Sequence, residues 1–237
     1  MGNDGVSAVE KALSLLDCFK AGQEEMSLTA LSIASGIPVT TTYRMMNSLE
    51  RMRYVVRSEA GIYSLGHRLL YLGKLYERSF KLSSIVEPAL RALSNATGMS
   101  ASYSIVQHAQ YLCLFRADPA EGLRLTWTPG VLRPFDSTAA SDVLRFWSAQ
   151  EPSDIPPPSI PIFKSGARDV HTAASSTPIF GAGDKFIAAL TLSGAASSFE
   201  AAHADSALRR TQLEAAANLS RRLGASGALC ERMYAAR

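Results

Sequence analysis

Residues Ser27–Arg57 read SLTALSIASGIPVTTTYRMMNSLERMRYVVR, and we interpret this stretch as the second half of a winged helix-turn-helix. Ser27 suits the N-cap of a first short helix. The apolar face of that helix is predicted to hold Leu28, Leu31 and Ala34. Gly36 provides the backbone freedom that a tight turn needs, and Pro38 suits the first turn of the next helix, where no N–H partner is lost. This second helix is predicted to end near Met52.

The second helix has two different faces. Its predicted apolar stripe, at helical spacing, consists of Val39, the methyl group of Thr42, Met46 and Leu49. The opposite face carries short or planar hydrogen-bonding side chains, namely Thr40, Thr41, Tyr43, Arg44 and Asn47. Such side chains read base edges and hold phosphates in a major groove. The helix pair alone is equally typical of an ordinary helical hairpin with a solvated face, and both interpretations stay open at this point.

Two short β-type runs follow the helix pair and decide between these interpretations. Tyr54–Val56 and Ile62–Ser64 are separated by a turn, and a helix pair followed by a small hairpin is a winged helix. Between Arg44 and Arg57 the chain holds four arginines and one acid, a local balance of +3. DNA binding is therefore favoured. We assign the DNA contacts to Thr40, Thr41, Tyr43, Arg44, Asn47 and Arg57.

Four segments resemble a known family. They are Ser7-Ala-Val-Glu-Lys-Ala-Leu-Ser-Leu-Leu, Leu28-Thr-Ala-Leu-Ser-Ile-Ala-Ser-Gly-Ile-Pro, Thr41-Thr-Tyr-Arg-Met-Met-Asn-Ser-Leu-Glu and Tyr63-Ser-Leu-Gly. Together they resemble the DNA-binding domain of IclR-type transcriptional regulators. The resemblance implies a bacterial regulator of the α+β class, in which a linker helix joins the winged helix-turn-helix to a GAF-like antiparallel-sheet effector domain. The family often has Lys or another polar residue after the proline, where this chain has Val39.

The composition limits the other possibilities. The 237 residues suffice for one large or two ordinary domains, and 47% hydrophobic with 19% charged residues indicate a globular protein. A net charge of +3 is too small to indicate nucleic-acid binding by itself. Cys18, Cys113 and Cys230 are scattered, without the spacing of a disulfide framework or a zinc site. No apolar run is long enough to span a bilayer, so we expect a cytoplasmic protein without a membrane partner, metal or cofactor.

We divide the chain into a winged helix-turn-helix over residues 1–66, a linker helix over 67–80, and an effector-binding and oligomerisation domain over 81–237. The first helix is predicted over Ser7–Phe19, with Ser7 and Glu10 at capping-box spacing and the apolar face Val9, Ala12, Leu13, Leu16 and Phe19. Residues 21–25 are expected to be a loop. The resemblance implies that the linker helix contributes to contacts in a homodimer or tetramer; the alternative is that its apolar stripe packs on its own chain.

The last domain is predicted to be α+β with an antiparallel sheet. Its expected helices are Lys81–Thr97, one that reaches Ser148 and is capped by Asp136 or Ser137, and Phe199–Leu223. Its expected strands are Ser100–Val106, Tyr111–Arg116, Leu123–Thr128, Ala174–Phe180 and Phe186–Gly194. The proline-rich run Glu151–Phe163 cannot be regular helix, and the chain looks shortened here relative to IclR-type domains.

No catalytic motif is present: the chain lacks a nucleophile elbow and a P-loop, and its four histidines have no ligand-spaced partner. We expect no enzyme. The resemblance instead implies a cavity over the sheet for small organic acids or aromatics. We assign this effector site to Trp127, Phe135, Ser137, Thr138, Thr177, Thr191 and Ser193, with N–H groups near Ser137 and Thr138 assisting. The alternative is that Thr191 and Ser193 are ordinary sheet residues.

The predicted function is a sequence-specific DNA-binding transcriptional regulator, repressor or activator, with a double-stranded operator and a small organic metabolite, aromatic or carboxylic, as its partners. The alternative function is an oligomeric interaction or DNA-binding module that has lost effector sensing. The proline-rich segment motivates this second hypothesis.

Overall fold

The computed structural model describes residues 5–20, 22–79, 81–120, 129–149, 157–199 and 206–235. The chain divides into two units, Met1–Phe80 and Lys81–Arg237. The helices of the first unit are α1 Ser7–Leu16, α2 Leu28–Ser35, α3 Val39–Arg51 and α4 His67–Ser79. Its strands are β1 Glu25–Ser27, β2 Val55–Arg57 and β3 Ile62–Leu65, which form an antiparallel sheet in the order β1-β3-β2.

The turn between α2 and α3 is held by side-chain hydroxyl groups. Ser27 caps α2 by accepting a hydrogen bond from the Ala30 N–H at 3.2 Å. The carbonyl of Ile37 accepts hydrogen bonds from the hydroxyls of Ser32 (2.6 Å) and Thr42 (3.1 Å), one from each helix. The turn begins at Gly36, whose φ of 67° lies in the left-handed region that favours glycine. These contacts set the angle at which α3 leaves α2.

The sequence predictions for α1 and for the loop that follows it differ in part from the structure. The predicted loop 21–25 agrees with the structure at residues 22–24 and differs at Glu25, which begins β1, a strand that was not predicted. In β1, Met26 lies opposite Tyr63 and both side chains are buried. The predicted capping box of α1 does not form, since Val6 is the N-cap and no side chain bonds to the helix start. Helix α1 ends at Leu16 and buries Leu15, whereas the predicted core residues Val9 and Leu13 are each 55% exposed.

The second unit contains one six-stranded antiparallel sheet in the order β6-β5-β4-β9-β8-β7. Its strands are β4 Ser100–Gln107, β5 Gln110–Ala117, β6 Leu132–Pro134, β7 Ile162–Ser165, β8 Thr172–Phe180 and β9 Phe186–Ala195. Its helices are α5 Lys81–Thr97, α6 Ala139–Ser148, α7 Ser206–Arg222 and α8 Gly227–Tyr234. Helices and an antiparallel sheet in both units confirm the predicted α+β class.

The two faces of this sheet differ in composition because side chains alternate along each strand. One face contributes Tyr103, Ile179, Leu190 and Leu192 to the main hydrophobic core, together with side chains of α5, α7 and α8. The other face carries short polar side chains in register, with Ser102 and Ser176 each opposite Thr191. Helix α6 packs on this second face and places Val143 and Leu144 against Tyr111 and Ala189.

Several boundaries in the second unit differ from the sequence predictions. The predicted strand Leu123–Thr128 falls outside the described residues, and β6, which pairs with β5, was not predicted. Strand β7 lies at the end of the proline-rich run and pairs with β8. The cap of α6 is Thr138 rather than Asp136 or Ser137, since its hydroxyl accepts from the Ser141 N–H. Of the predicted helix Phe199–Leu223, residues 206–222 are helical and 200–205 fall outside the described residues.

Candidate functional sites

The first candidate site is the exposed side of α3 together with β2. Thr40, Tyr43 and Arg44 are exposed on α3, and Arg57 is exposed on β2. Thr41 and Asn47, also assigned to DNA, are half-buried. The Arg57 guanidinium lies 5.5 Å from the centre of the Tyr63 ring, a cation–π contact with a residue of the neighbouring strand β3.

One residue of the predicted apolar stripe of α3 lies elsewhere than expected. Thr42 and Met46 are buried and Leu49 is half-buried, but Val39 is 46% exposed. Helical spacing groups Val39 with the stripe, yet it is the first residue of α3 and lies beyond the core formed by Leu15, Leu31 and Met46. Val39 therefore belongs to the exposed surface.

The charge on this surface is uncompensated. In the described part of the first unit, none of Arg44, Arg51, Arg53 and Arg57 has an acidic side chain within ion-pair distance. Exposed cations without acidic partners are groups that a phosphate backbone can neutralise. The arrangement offers side chains for base edges on α3 and a cation for phosphate on β2.

The second candidate site is a cavity of about 350 Å³ in the second unit. Its floor is the polar face of the sheet, including Ser102, Thr191 and Ser193. The first turn of α6 and the loop between β7 and β8 form its walls, including Thr138–Ala140 and Ala167–Asp169.

The structure brings three of the predicted effector residues into this cavity, Thr138, Thr191 and Ser193. Ser137 does not line it, because its exposed hydroxyl donates to the Ala167 carbonyl at 3.2 Å. Phe135 does not line it either, since its ring stacks on Tyr111 with centroids 5.9 Å apart.

Thr177 and Trp127 were also assigned to this site. Thr177 lies on β8 one residue beyond Ser176, whose hydroxyl meets that of Thr191 at 2.9 Å on the cavity side. Alternation along the strand turns Thr177 to the opposite face, where it is fully buried. Trp127 falls outside the described residues.

Four cations that the sequence analysis did not identify line the cavity: Arg116, Arg133, Lys164 and Arg168. One signal was available for Arg116, since a charged residue at the end of the apolar run Tyr111–Phe115 is unusual in a strand buried on both faces. The others come from segments without a recognisable motif.

Arg116 is the most buried of these cations, with its side chain 3% exposed. The carboxylate of Asp118 accepts from its Nε at 2.8 Å and lies 2.7 Å from its Nη2. The same carboxylate accepts from the Ser100 hydroxyl at 2.7 Å. A buried charge needs such a partner, because removal from water is otherwise too costly. Asp118 itself does not line the cavity.

Asp136 organises the start of α6. Its carboxylate accepts hydrogen bonds from the Thr138 N–H (3.0 Å), the Thr138 hydroxyl, the Ser141 hydroxyl (2.7 Å) and Arg168. Burial raises the pKa of Asp136, but these hydrogen bonds outweigh burial and lower the pKa to about 2. The Thr138 N–H, expected to assist a ligand, is thus occupied. Among the described residues, the N–H groups of Ala139 and Ala140 have no acceptor, as is usual in a first helical turn.

Among the described residues, no group of three His, Cys, Asp or Glu side chains could hold a metal ion. In the same part of the chain, no helix has the length and apolarity needed to cross a membrane.

Comparison with known proteins identifies relatives of the first unit and of the fold. The model of the IclR helix-turn-helix domain matches residues 8–59. The HTH-type transcriptional regulator KipR of Bacillus subtilis is 25% identical over 144 residues, 60% of this chain and 57% of KipR. The transcriptional repressor IclR of Escherichia coli is 24% identical over 107 residues, 45% of this chain and 39% of that protein. The chain thus spans roughly two to three fifths of these relatives' length.

Solved structures share the fold across both units. An IclR family transcriptional regulator from Brucella abortus superposes with a TM-score of 0.77 at 12% identity, covering 93% of each chain. An IclR homolog from Microbacterium hydrocarbonoxydans, solved in complex with 4-hydroxybenzoate, superposes with a TM-score of 0.70 at 15% identity, covering 92% of this chain and 99% of that one. At these identities the likeness shows the fold.

Proposed function

Because this chain is an IclR-family protein by its helix-turn-helix domain and its fold, we propose that it is a sequence-specific DNA-binding transcriptional regulator that responds to a small organic acid. The observation that carries the proposal is the unneutralised polar and cationic surface of α3 and β2 within the matched domain. The named relatives are transcriptional regulators. We propose that this chain likewise binds DNA and a ligand without catalysing a reaction. It would act in the cytoplasm, where its DNA lies.

The exposure of these side chains supports the DNA-contacting roles that we propose. Arg44 carries the main base or phosphate contact, because it is exposed on α3 and a guanidinium can bind a guanine or a phosphate through two N–H groups. Asn47 supports it, and Thr40 and Thr41 hold phosphate near the start of α3. Arg57 contacts the flanking backbone from the wing. Tyr43, 43% exposed, adds a hydroxyl and a ring beside Arg44.

Two exposed apolar stripes support assembly into a homodimer or a tetramer. On α1 and its N-cap, Val6, Val9 and Leu13 are 65%, 55% and 55% exposed at helical spacing. On α4, Leu70, Tyr71 and Leu75 are 67%, 51% and 41% exposed. Contiguous exposed apolar surface of this kind marks a protein contact. A second copy of the chain suits it, since helix-turn-helix proteins commonly read two half-sites as symmetric dimers.

The cavity supports the sensing half of the proposal. Its lining includes hydroxyls and cations that suit an acid, beside alanines and the carboxylate of Asp169. A protein with this fold has been solved with 4-hydroxybenzoate. A ligand shifts the regulator only if it binds the DNA-competent and DNA-incompetent arrangements with unequal affinity. The competing hypothesis is a DNA-binding module that has lost effector sensing. Such a module would bind DNA equally well with and without small acids.

Fluorescence anisotropy with DNA from upstream of the chain's own gene tests the proposal, at two salt concentrations and against scrambled DNA. We expect tight binding that exceeds the scrambled control and weakens as salt rises, because phosphate contacts release counterions. Equal, weak binding to both DNAs would overturn the regulator proposal. Binding that no small acid changes would instead favour the module without sensing.

A further inference from the structure

We propose that Tyr63 is a positioning residue for DNA binding: its ring holds the guanidinium of Arg57 on the wing, so that this cation is ordered before DNA arrives. The binding role of Tyr63 rests on the function proposed above, since Arg57 contacts DNA only in a DNA-binding protein. The order that the ring gives to the guanidinium is a property of the free chain.

Strand register brings the two side chains together. In the antiparallel pairing of β2 and β3, the two strands of the wing, Arg57 lies directly opposite Tyr63. Residues that are directly opposite in such a pair have their side chains on the same face and in contact. The guanidinium also lies close to the turn of the wing, since a Cβ at Gly61 would be 3.6 Å from its Nη2 and 4.0 Å from its Nε. The Arg57 side chain therefore lies across the hairpin, from β2 towards β3.

The contact with the ring leaves the hydrogen-bond donors of Arg57 available. The guanidinium carbon lies over the Tyr63 ring at 5.5 Å from its centre, within the range of a cation–π interaction. That interaction uses the charge and the ring face, whereas the five N–H groups lie at the edge of the guanidinium. In the described part of the chain, Arg57 has no hydrogen bond and no ion pair, and it is exposed. A guanidinium held in this way can donate two N–H groups to one phosphate.

Tyr63 is a rigid support for this cation. Its side chain is fully buried and belongs to the same core cluster as Met26, Met46 and Val55. Its hydroxyl is buried and has no hydrogen-bond partner among the described residues. A buried hydroxyl without a partner lowers stability, so the ring is the part of Tyr63 to which we assign the role.

Arg57 differs in this respect from the neighbouring cations. Of Arg44, Arg51, Arg53 and Arg57, Arg57 alone has an aromatic partner within the described residues. A flexible side chain that is already ordered loses less conformational entropy when it binds. The strength of an exposed cation–π contact corresponds to roughly a two- to fivefold change in affinity.

NMR relaxation of the arginine Nε–Hε groups, in the full chain without DNA, tests the order of Arg57. We expect this group to be more ordered in Arg57 than in Arg44, which is exposed and contacts no ring among the described residues. Tyr63→Phe keeps the ring and should preserve the order, whereas Tyr63→Leu should lower it to the level of Arg44. Equal order at Arg57 and Arg44 in the parent chain, or unchanged order at Arg57 in folded Tyr63→Leu, would overturn the proposal.

A double-mutant cycle with operator DNA tests the consequence for binding. Anisotropy titration gives the dissociation constants of the parent, Tyr63→Leu, Arg57→Ala and the double variant, each below its melting temperature. We expect Tyr63→Leu to weaken operator binding roughly two- to fivefold when Arg57 is present, and to have no effect when Arg57 is replaced by alanine. Lost core packing is common to both backgrounds and cancels in the cycle. Tyr63→Phe should bind as the parent does.

Val55→Ala is the matched control for a loosened wing. Val55 is 1% exposed, lies on the same strand as Arg57 and belongs to the same core cluster as Tyr63. It should show no coupling to Arg57→Ala. Three results would each refute the positioning role: equal effects of Tyr63→Leu in both backgrounds, equal coupling for Val55→Ala, or a Tyr63→Phe variant that binds as weakly as Tyr63→Leu.

The two measurements separate this role from the proposed function. Specific binding of the upstream DNA that Arg57→Ala leaves unchanged would remove Arg57 and Tyr63 from the DNA contact, and the regulator would stand. Absence of specific DNA binding by the parent chain would overturn the regulator together with the binding role of Tyr63. The NMR comparison decides in either case whether the ring orders Arg57.

Discussion

The carboxylate of Asp136, just before α6, is paired with the guanidinium of Arg168, in the loop between β7 and β8. The same carboxylate binds the hydroxyls of Thr138 and Ser141 in the first turn of α6. Asp136 thus connects two walls of the cavity, the first turn of α6 and the loop between β7 and β8. Arg168 also donates to the Tyr111 hydroxyl, which connects the Asp136–Arg168 pair to β5.

The hydrogen bonds and the ion pair of Asp136 predict that the stability of the fold depends on pH. The pKa of Asp136 lies at about 2 in the folded chain against an ordinary 3.8, so the folded state favours the ionised form. A lowered pKa gives stabilisation that is complete above the ordinary value and is lost as pH falls from about 3.8 towards about 2. We expect Asp136→Asn to be less stable at neutral pH and to lose less stability across that acid window.

Urea unfolding at a series of pH values measures this effect. Glu214→Gln, which removes an exposed carboxylate of α7, serves as the control and should follow the parent chain. An Asp136→Asn variant with the parent's slope across the acid window would show that the Asp136 pairs do not stabilise the fold.

Arg44→Ala should weaken binding to the cognate operator by about 1–3 kcal/mol, because it removes a bidentate donor from the exposed face of α3. Anisotropy titration against operator and scrambled DNA measures the change. Arg91→Ala removes an exposed cation of α5 in the second unit and should have no effect. Operator affinity that is unchanged in the Arg44 variant would refute its assignment to DNA contact.

Leu13→Glu should weaken self-association by about tenfold or more, because it places an unpaired charge in the apolar stripe of α1. The fold should tolerate the change, since Leu13 is 55% exposed within a single chain. Sedimentation equilibrium measures the dissociation constant. Lys11→Glu alters an exposed residue of the same helix and serves as the control. If the two variants associate as the parent does, α1 is not a contact between copies.

Gln212→Leu should lower the free energy of unfolding by about 1–3 kcal/mol, the cost of leaving buried polar groups unsatisfied. Gln212 is fully buried on α7, accepts from the Ser175 hydroxyl and donates to the Ser175 carbonyl at 3.1 Å. Urea unfolding measures the difference, and Gln107→Leu, at the exposed end of β4, is the control. Equal losses in both variants would mean that the buried amide contributes no stability beyond its volume.

Local sequence signals predicted the helix-turn-helix well. Helical spacing, Gly36 and Pro38 act within a few residues of one another, so α2, the turn and α3 are encoded in a single short stretch. Even in this stretch, the predicted apolar stripe included Val39, which is exposed. Helical spacing indicates which side of a helix a residue occupies, but it does not indicate how far along the helix the neighbouring core extends. The predicted loop 21–25 extended one residue into β1 for a related reason, since β1 exists through its pairing with β3.

The sequence by itself determined α2, α3, the wing, the central strands β4, β5, β8 and β9, the α+β class and the likeness to IclR-type regulators, because these depend on periodicity, turn residues and contiguous motifs. Tertiary structure alone decided that Thr177 leaves the cavity while Arg116 and Arg168 line it, and that Gln212 is buried in the core. Strand register and the order of strands in the sheet set those positions. Both are pairings between residues far apart in the chain, and no local pattern of residues encodes them.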